Sequence, residues 1–188
     1  MSTQGEWEEQ LVAEWKSIQG YFVETNVVLT TPGVGGRNEA DIVAVRVDGR
    51  TLVVEHIEVG NLGQGFSKNL NMVVKKFSDE IIKSVKDFVS VRINTTGFLE
   101  WDYRCIYIYT WGSKIEELKT ATRKRKKNIE FLYLSELLNN DIPQTMSEWK
   151  QKRVDSGIIK EKDPSKIILP RKYRLLAILD NVGKRRIV

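Results

Sequence analysis

Residues 39–60 read EADIVAVRVDGRTLVVEHIEVG. Two apolar runs meet at Asp48-Gly49, a strong signal for a two-residue β-hairpin. With Asp48 and Gly49 as the turn, Val47 pairs with Arg50. Asp41 then lies opposite His56, and Glu39 opposite Glu58. Strand side chains alternate, so all four project from one face of the sheet. Directly opposed Cβ atoms are roughly 5 Å apart and diagonal ones about 7–8 Å, which makes Asp41 and Glu58 a diagonal pair. Val43, Val45, Leu52 and Val54 share that face and are apolar, which argues against a merely solvated surface. Like charges on a buried face are costly unless a cation neutralises them. Carboxylate oxygens at this spacing suit a hard divalent ion, Mg²⁺ or Mn²⁺. Glu55 points to the other face and reads as structural. His56, the single histidine of the chain, reads as a hydrogen-bond partner of Asp41 rather than a ligand.

The 188 residues suffice for one domain with a core. The expected layout is a single domain over 1–188, with a core at 5–135 and a C-terminal extension at 136–188. GEWEEQLVAEWKSIQ, 5–19, reads as a helix with Trp7, Leu11, Trp15 and Ile18 on one stripe. YFVETNVVLT, 21–30, reads as a strand, and TPGVGGRN, 31–38, as a loop. After the hairpin, Ser67 is placed to cap a helix running to about Phe88, with the stripe Leu70, Val74, Phe77, Ile81, Val85 and Phe88. YRCIYIYTW, 103–111, is a strand, KIEELKTATRK a short helix, and IEFLYL, 129–134, another strand. SELLNN begins a helix capped by Ser135, and YRLLAILDNV, 173–182, is a final short helix. The order α-β-β-β-α-β-α-β implies an α/β fold, a mixed sheet with flanking helices.

The net charge of +5 favours a polyanionic partner. The densest cluster is RKRKK, Arg123, Lys124, Arg125, Lys126 and Lys127, which reads either as a solvated helix end or as a phosphate-contacting patch. Arg37 in the glycine-rich loop is a further backbone-contact candidate, with Lys184, Arg185 and Arg186 weaker ones. The sequence has no apolar run long enough to span a bilayer and a polar, acidic start. One cysteine, Cys105, lies in an apolar strand as a buried thiol. A reducing cytoplasm fits this composition.

Several of these motifs resemble the PD-(D/E)xK nuclease superfamily, which includes type II restriction enzymes and archaeal Holliday junction resolvases. EADIVAV resembles the strand that carries the family's Asp, at Asp41. VVEHIEVG resembles the next strand, at Glu58, and EEQLVAEWKSIQGYFV the opening helix and strand of resolvase-like members. The resemblance covers roughly residues 5–135. It implies a restriction-endonuclease-like α-β-β-β-α-β core, DNA as partner, and Mg²⁺ or Mn²⁺ held by Asp41 and Glu58. Glu8 joins them on the family's pattern, with Glu9 as the close alternative. Glu39 is similar to the Glu-x-Asp of several small branches. The implied activity is metal-dependent hydrolysis of phosphodiester bonds in restriction, repair or recombination. Whether the chain forms a homodimer is left open.

One position departs from the family. The lysine expected two residues after Glu58 is Gly60. Either the fold is kept without catalysis, as a nucleic-acid-binding or interaction subunit, or another cation serves. Some members carry the lysine on the following helix. Here that helix offers Lys68, Lys75 and Lys76. Lys76 is the first choice, because it flanks the core residue Phe77.

Overall fold

The computed structural model describes residues 6–29, 38–93, 97 and 100–185. In chain order the elements are α1 (Glu6–Ile18), β1 (Phe22–Leu29), β2 (Asn38–Asp48), β3 (Thr51–Leu62), α2 (Phe66–Lys76), α3 (Asp79–Arg92) and β4 (Glu100–Gly112). There follow α4 (Ile115–Lys124), β5 (Ile129–Tyr133), α5 (Leu134–Glu136), α6 (Ile142–Asp155) and α7 (Arg174–Arg185). The strands form one sheet in the order β1-β2-β3-β4-β5. β1, β2 and β3 run antiparallel, whereas β4 is parallel to β3 and β5 to β4. The parallel joins require crossovers, which α2–α3 and α4 provide. The molecule is therefore α/β with a mixed sheet and the expected α-β-β-β-α-β order. No helix among the described residues is long and apolar enough to cross a membrane.

The chain separates into two compact units. One, Phe22–Leu134, contains the whole sheet with α2, α3 and α4. The other joins Met1–Tyr21 to Ser135–Val188, so α1 groups with the C-terminal helices rather than with the strands it precedes. Polar contacts show how α1 is held there. Trp15 Nε1 donates to Thr145 Oγ1 at 3.1 Å. Glu14 Oε2 accepts from the backbone N–H of Leu175 and Leu176, at 2.9 and 3.0 Å. Those are orphan donors in the first turn of α7, where a negative charge is also favoured by the helix dipole.

Within the sheet unit, part of one face packs against α3. Odd positions of β2 and even positions of β3 meet α3 in a cluster that includes Val43, Val45, Leu52, Val54, Ile81, Val85 and Val89. Further along, Leu62, Leu70, Val73 and Phe77 pack with Cys105, Tyr107, Leu118 and Phe131. This burial is what hydrophobic stripes on α2 and α3 supply.

Four details differ from expectation. The hairpin turn is Gly49-Arg50, with Asp48 paired to Thr51. Gly49 adopts φ 59° at the first turn position, as a II′-type turn asks of its glycine. Every pairing therefore moves by two, and faces are conserved because the loop still has two residues. The helix expected over 67–88 is two helices, broken at Phe77-Ser78. Ser78 accepts from Ile81 N and caps α3, whereas Gly65, not Ser67, precedes α2. Ser135 lies inside the short helix α5 instead of capping it. Trp7 is half-exposed, so the core stripe of α1 begins at Leu11.

Candidate active site

The corrected register brings the two acids closer than expected. Ile42 pairs with Ile57 and Val43 with His56, which makes Asp41 the next position opposite Glu58. The Asp41 carboxylate accepts from the backbone N–H of Val59 at 2.8 Å, which pins it against the end of β3. His56 is thus not opposite Asp41, and Glu39 is not opposite Glu58. Glu39 pairs with Val28 and lines a cleft of about 260 Å³ with Asn38, Met72, Lys75 and Lys76.

Lys76 closes the site. Its ammonium lies 3.3 Å from Asp41 Oδ1 and in direct contact with Glu58 Oε2. Three local features put it there. Asn69 is buried and donates to Leu62 O at 2.6 Å while accepting from Gln64 N at 3.3 Å, fastening the start of α2 to the end of β3. Phe77 is fully buried, with its ring edge-on to His56 at 4.8 Å. The residue before that anchor is the last of α2, where the negative end of the helix dipole favours a cation. Lys75 reaches the cleft but not the acid pair, and Lys68 stands on the exposed side of α2.

Glu58 is buried to 1% exposure and His56 to 0%. His56 Nε2 is 2.9 Å from Glu58 Oε1, and Tyr103 Oη is 3.2 Å from His56 Nδ1. The histidine does serve as a hydrogen-bond partner, but of Glu58 and not of Asp41. Glu55 lies on the opposite face, buried, with Arg104 Nη1 at 3.8 Å.

The electrostatics follow from this burial. Burial, then the charge of Glu58, pushes Asp41 up to about 6 against the pull of Lys76 and the Val59 N–H. Burial also raises Glu58, with Lys76 opposing. Burial favours a neutral Lys76, but Glu58 and Asp41 outweigh it and hold the ammonium above its usual range. Burial and then Lys76 drive His56 down to about 3, so the imidazole is neutral at ordinary pH. The two carboxylates therefore converge on a cation, and a lysine fills that role here.

A divalent ion suits the pair. Mg²⁺ keeps several waters and takes one or two carboxylates, so Asp41 and Glu58 supply a sufficient donor set. Among the described residues, no three His, Cys, Asp or Glu side chains gather into a metal site. Glu8 belongs to the other unit, where it is buried with one oxygen, Oε2, lacking a hydrogen-bond partner. Glu9 on the same helix is less buried. Arg37 lies outside the described residues. Of the basic run, Arg123 to Lys126 are exposed, whereas Lys127 turns back to pair with Asp79 at 2.5 Å.

No family model and no curated protein matches the chain. Among solved structures, it is similar to the crystal structure of a protein of unknown function, AF1548. The two are 16% identical with a TM-score of 0.43, over 94% of this chain and 96% of that one.

Proposed function

We propose that the protein is a metal-dependent endonuclease that hydrolyses phosphodiester bonds in DNA, with Asp41, Glu58 and Lys76 as its reacting centre. One observation carries this reading. The lysine absent at Gly60 is replaced by Lys76, whose ammonium meets both acids from the next helix. When bound, Mg²⁺ or Mn²⁺ supplies a Lewis acid for a phosphoryl oxygen and lowers the pKa of a water. Asp41 and Glu58 would hold that ion. Water attacks phosphorus and gives up a proton to solvent as the new P–O bond forms, and the bond to the leaving sugar oxygen breaks as that oxygen takes up a proton from solvent. Lys76 stabilises the negative charge that grows on the phosphoryl oxygens. Its side chain is 37% exposed, so it can turn from Glu58 toward a bound phosphate. Arg37, Arg123, Lys124, Arg125 and Lys126 contribute contacts to the DNA backbone, whereas Lys127 stays paired with Asp79.

A second reading rests on the same contact. Lys76 stands where a cation would bind, and a protein in which it stays there is a nuclease-fold DNA-binding subunit without catalysis. Incubation with linear, branched and single-stranded DNA under Mg²⁺, Mn²⁺ or EDTA separates the two. Cleavage that EDTA abolishes supports the first. Salt-sensitive binding with no cleavage of any substrate under either ion overturns it in favour of the second.

A further inference from the structure

His56 and Tyr103 form a hydrogen-bonded pair behind Glu58, and His56 is fully buried on β3. A buried histidine costs desolvation unless both ring nitrogens are satisfied. Both are, and by partners that fix its tautomer. The metal-binding reading requires Glu58 as a carboxylate, which can only accept, so Nε2 then carries the proton. Nδ1 is then an acceptor, and Tyr103 donates to it. The ring is further wedged by Phe77.

We infer that His56, oriented by Tyr103, is a positioning residue that ties up Glu58 Oε1 and so presents only Oε2 to a cation. This rests on the metal-binding part of the nuclease reading. Oε1 at 2.9 Å from Nε2 cannot swing toward the front of the site without breaking a buried bond. Oε2 is in contact with Lys76, and no regular hydrogen bond reaches it among the described residues. The carboxylate is therefore a one-oxygen ligand set in advance, across the ladder from Asp41. Lys76 and Asp41 are the other charged groups that face this set, from α2 and β2. Outer partners of metal ligands typically account for about 10- to 100-fold in metal affinity.

Mn²⁺ affinity of the full chain, measured without DNA by electron paramagnetic resonance, tests this separately from cleavage. His56→Ala is expected to lose about 10- to 100-fold in affinity. His56→Gln, which keeps an N–H donor, recovers most of it, and Tyr103→Phe loses severalfold. Because the chain has one histidine, ¹⁵N spectra report its ring alone. They should show the proton on Nε2. If His56→Ala does not fold, Tyr103→Phe and the tautomer decide. A proton on Nδ1, or wild-type affinity in folded His56→Ala or in Tyr103→Phe, overturns the inference. Mn²⁺ binding by a wild type that never cuts DNA sinks the nuclease reading alone. Absence of Mn²⁺ binding by the wild type sinks both.

Discussion

The acid pair and the basic run hold charge in opposite ways. At the end of β3 a single ammonium lies between two carboxylates, one of them at 1% exposure. At residues 123–127 five cations stand in a row. The first four face solvent, and the fifth is spent on Asp79. Sequence density favours the second region, and chemistry favours the first. A charge in water is screened within about 10 Å at moderate salt, while a buried one acts at close to full strength. What matters is therefore how a cation is desolvated and aimed, not how many share a stretch of chain.

That contrast can be broken by mutation, beginning where the effect is largest. Asp41→Asn and Glu58→Gln are each expected to take DNA cleavage below detection while circular dichroism stays that of the wild type. Unchanged cutting by both would remove the acid pair from the chemistry. Next, Lys76→Ala should slow single-turnover cleavage at saturating protein by about 100- to 1000-fold, with DNA still bound. Lys68→Ala and Lys75→Ala should cut within severalfold of wild type. A loss confined to Lys75 would shift the role one residue along α2.

Stability against pH gives a smaller signal with a definite sign. Asp41 titrates near 6 in the folded state and near 3.8 when unfolded. Between those values the folded chain holds a proton that the unfolded chain has released. The group's effect on stability is thus most favourable below about pH 4 and declines as pH rises to about 6, by an amount of order 1–3 kcal/mol. Urea midpoints across that range should fall for the wild type, and less steeply for Asp41→Asn. Equal slopes would mean that the carboxyl is not strained by burial. Smallest of all, Arg125→Ala should weaken DNA binding only severalfold and lower its salt dependence by about one phosphate contact, with the bound-state cleavage rate unchanged. A rate defect there would erase the distinction between the two regions.

Much of this arrangement was legible in residue order, and the misses have local causes. Parity alone put Asp41, Val43, Val45, Leu52, Val54, His56 and Glu58 on one face, because any two-residue turn preserves it. The register failed by two because Asp-Gly and Gly-Arg are both plausible turns, and only backbone φ chooses between them. The His56–Glu58 bond was available from i, i+2 spacing on one strand, yet cross-strand pairing drew attention to Asp41 instead. The helix break carried its own signal, Ser78 followed by Asp79 and Glu80, a cap with acids in the first turn. It was hidden by apolar spacing that runs across the joint without interruption. Lys76 was readable from its neighbour, since Phe77 had to be buried. The grouping of α1 with α6 and α7 had no such mark, because Trp15 and Glu14 reach partners 130 and 161 residues away.

Gly60 bears on where a lysine can stand in this sheet. A Cβ there would stand 3.0 Å from Tyr107 Oη, on the face that carries Glu58. The tyrosine hydroxyl thus stands at the start of the path that a side chain at 60 would follow. Placing a lysine at position 60 is consequently not a simple substitute for Lys76. Gly60→Lys in a Lys76→Ala background should fail to restore cutting, and adding Tyr107→Phe should recover part of it by removing that oxygen. On the nuclease reading, positions 60 and 76 are alternative placements for one lysine, and the Tyr107 hydroxyl stands in the way of the first.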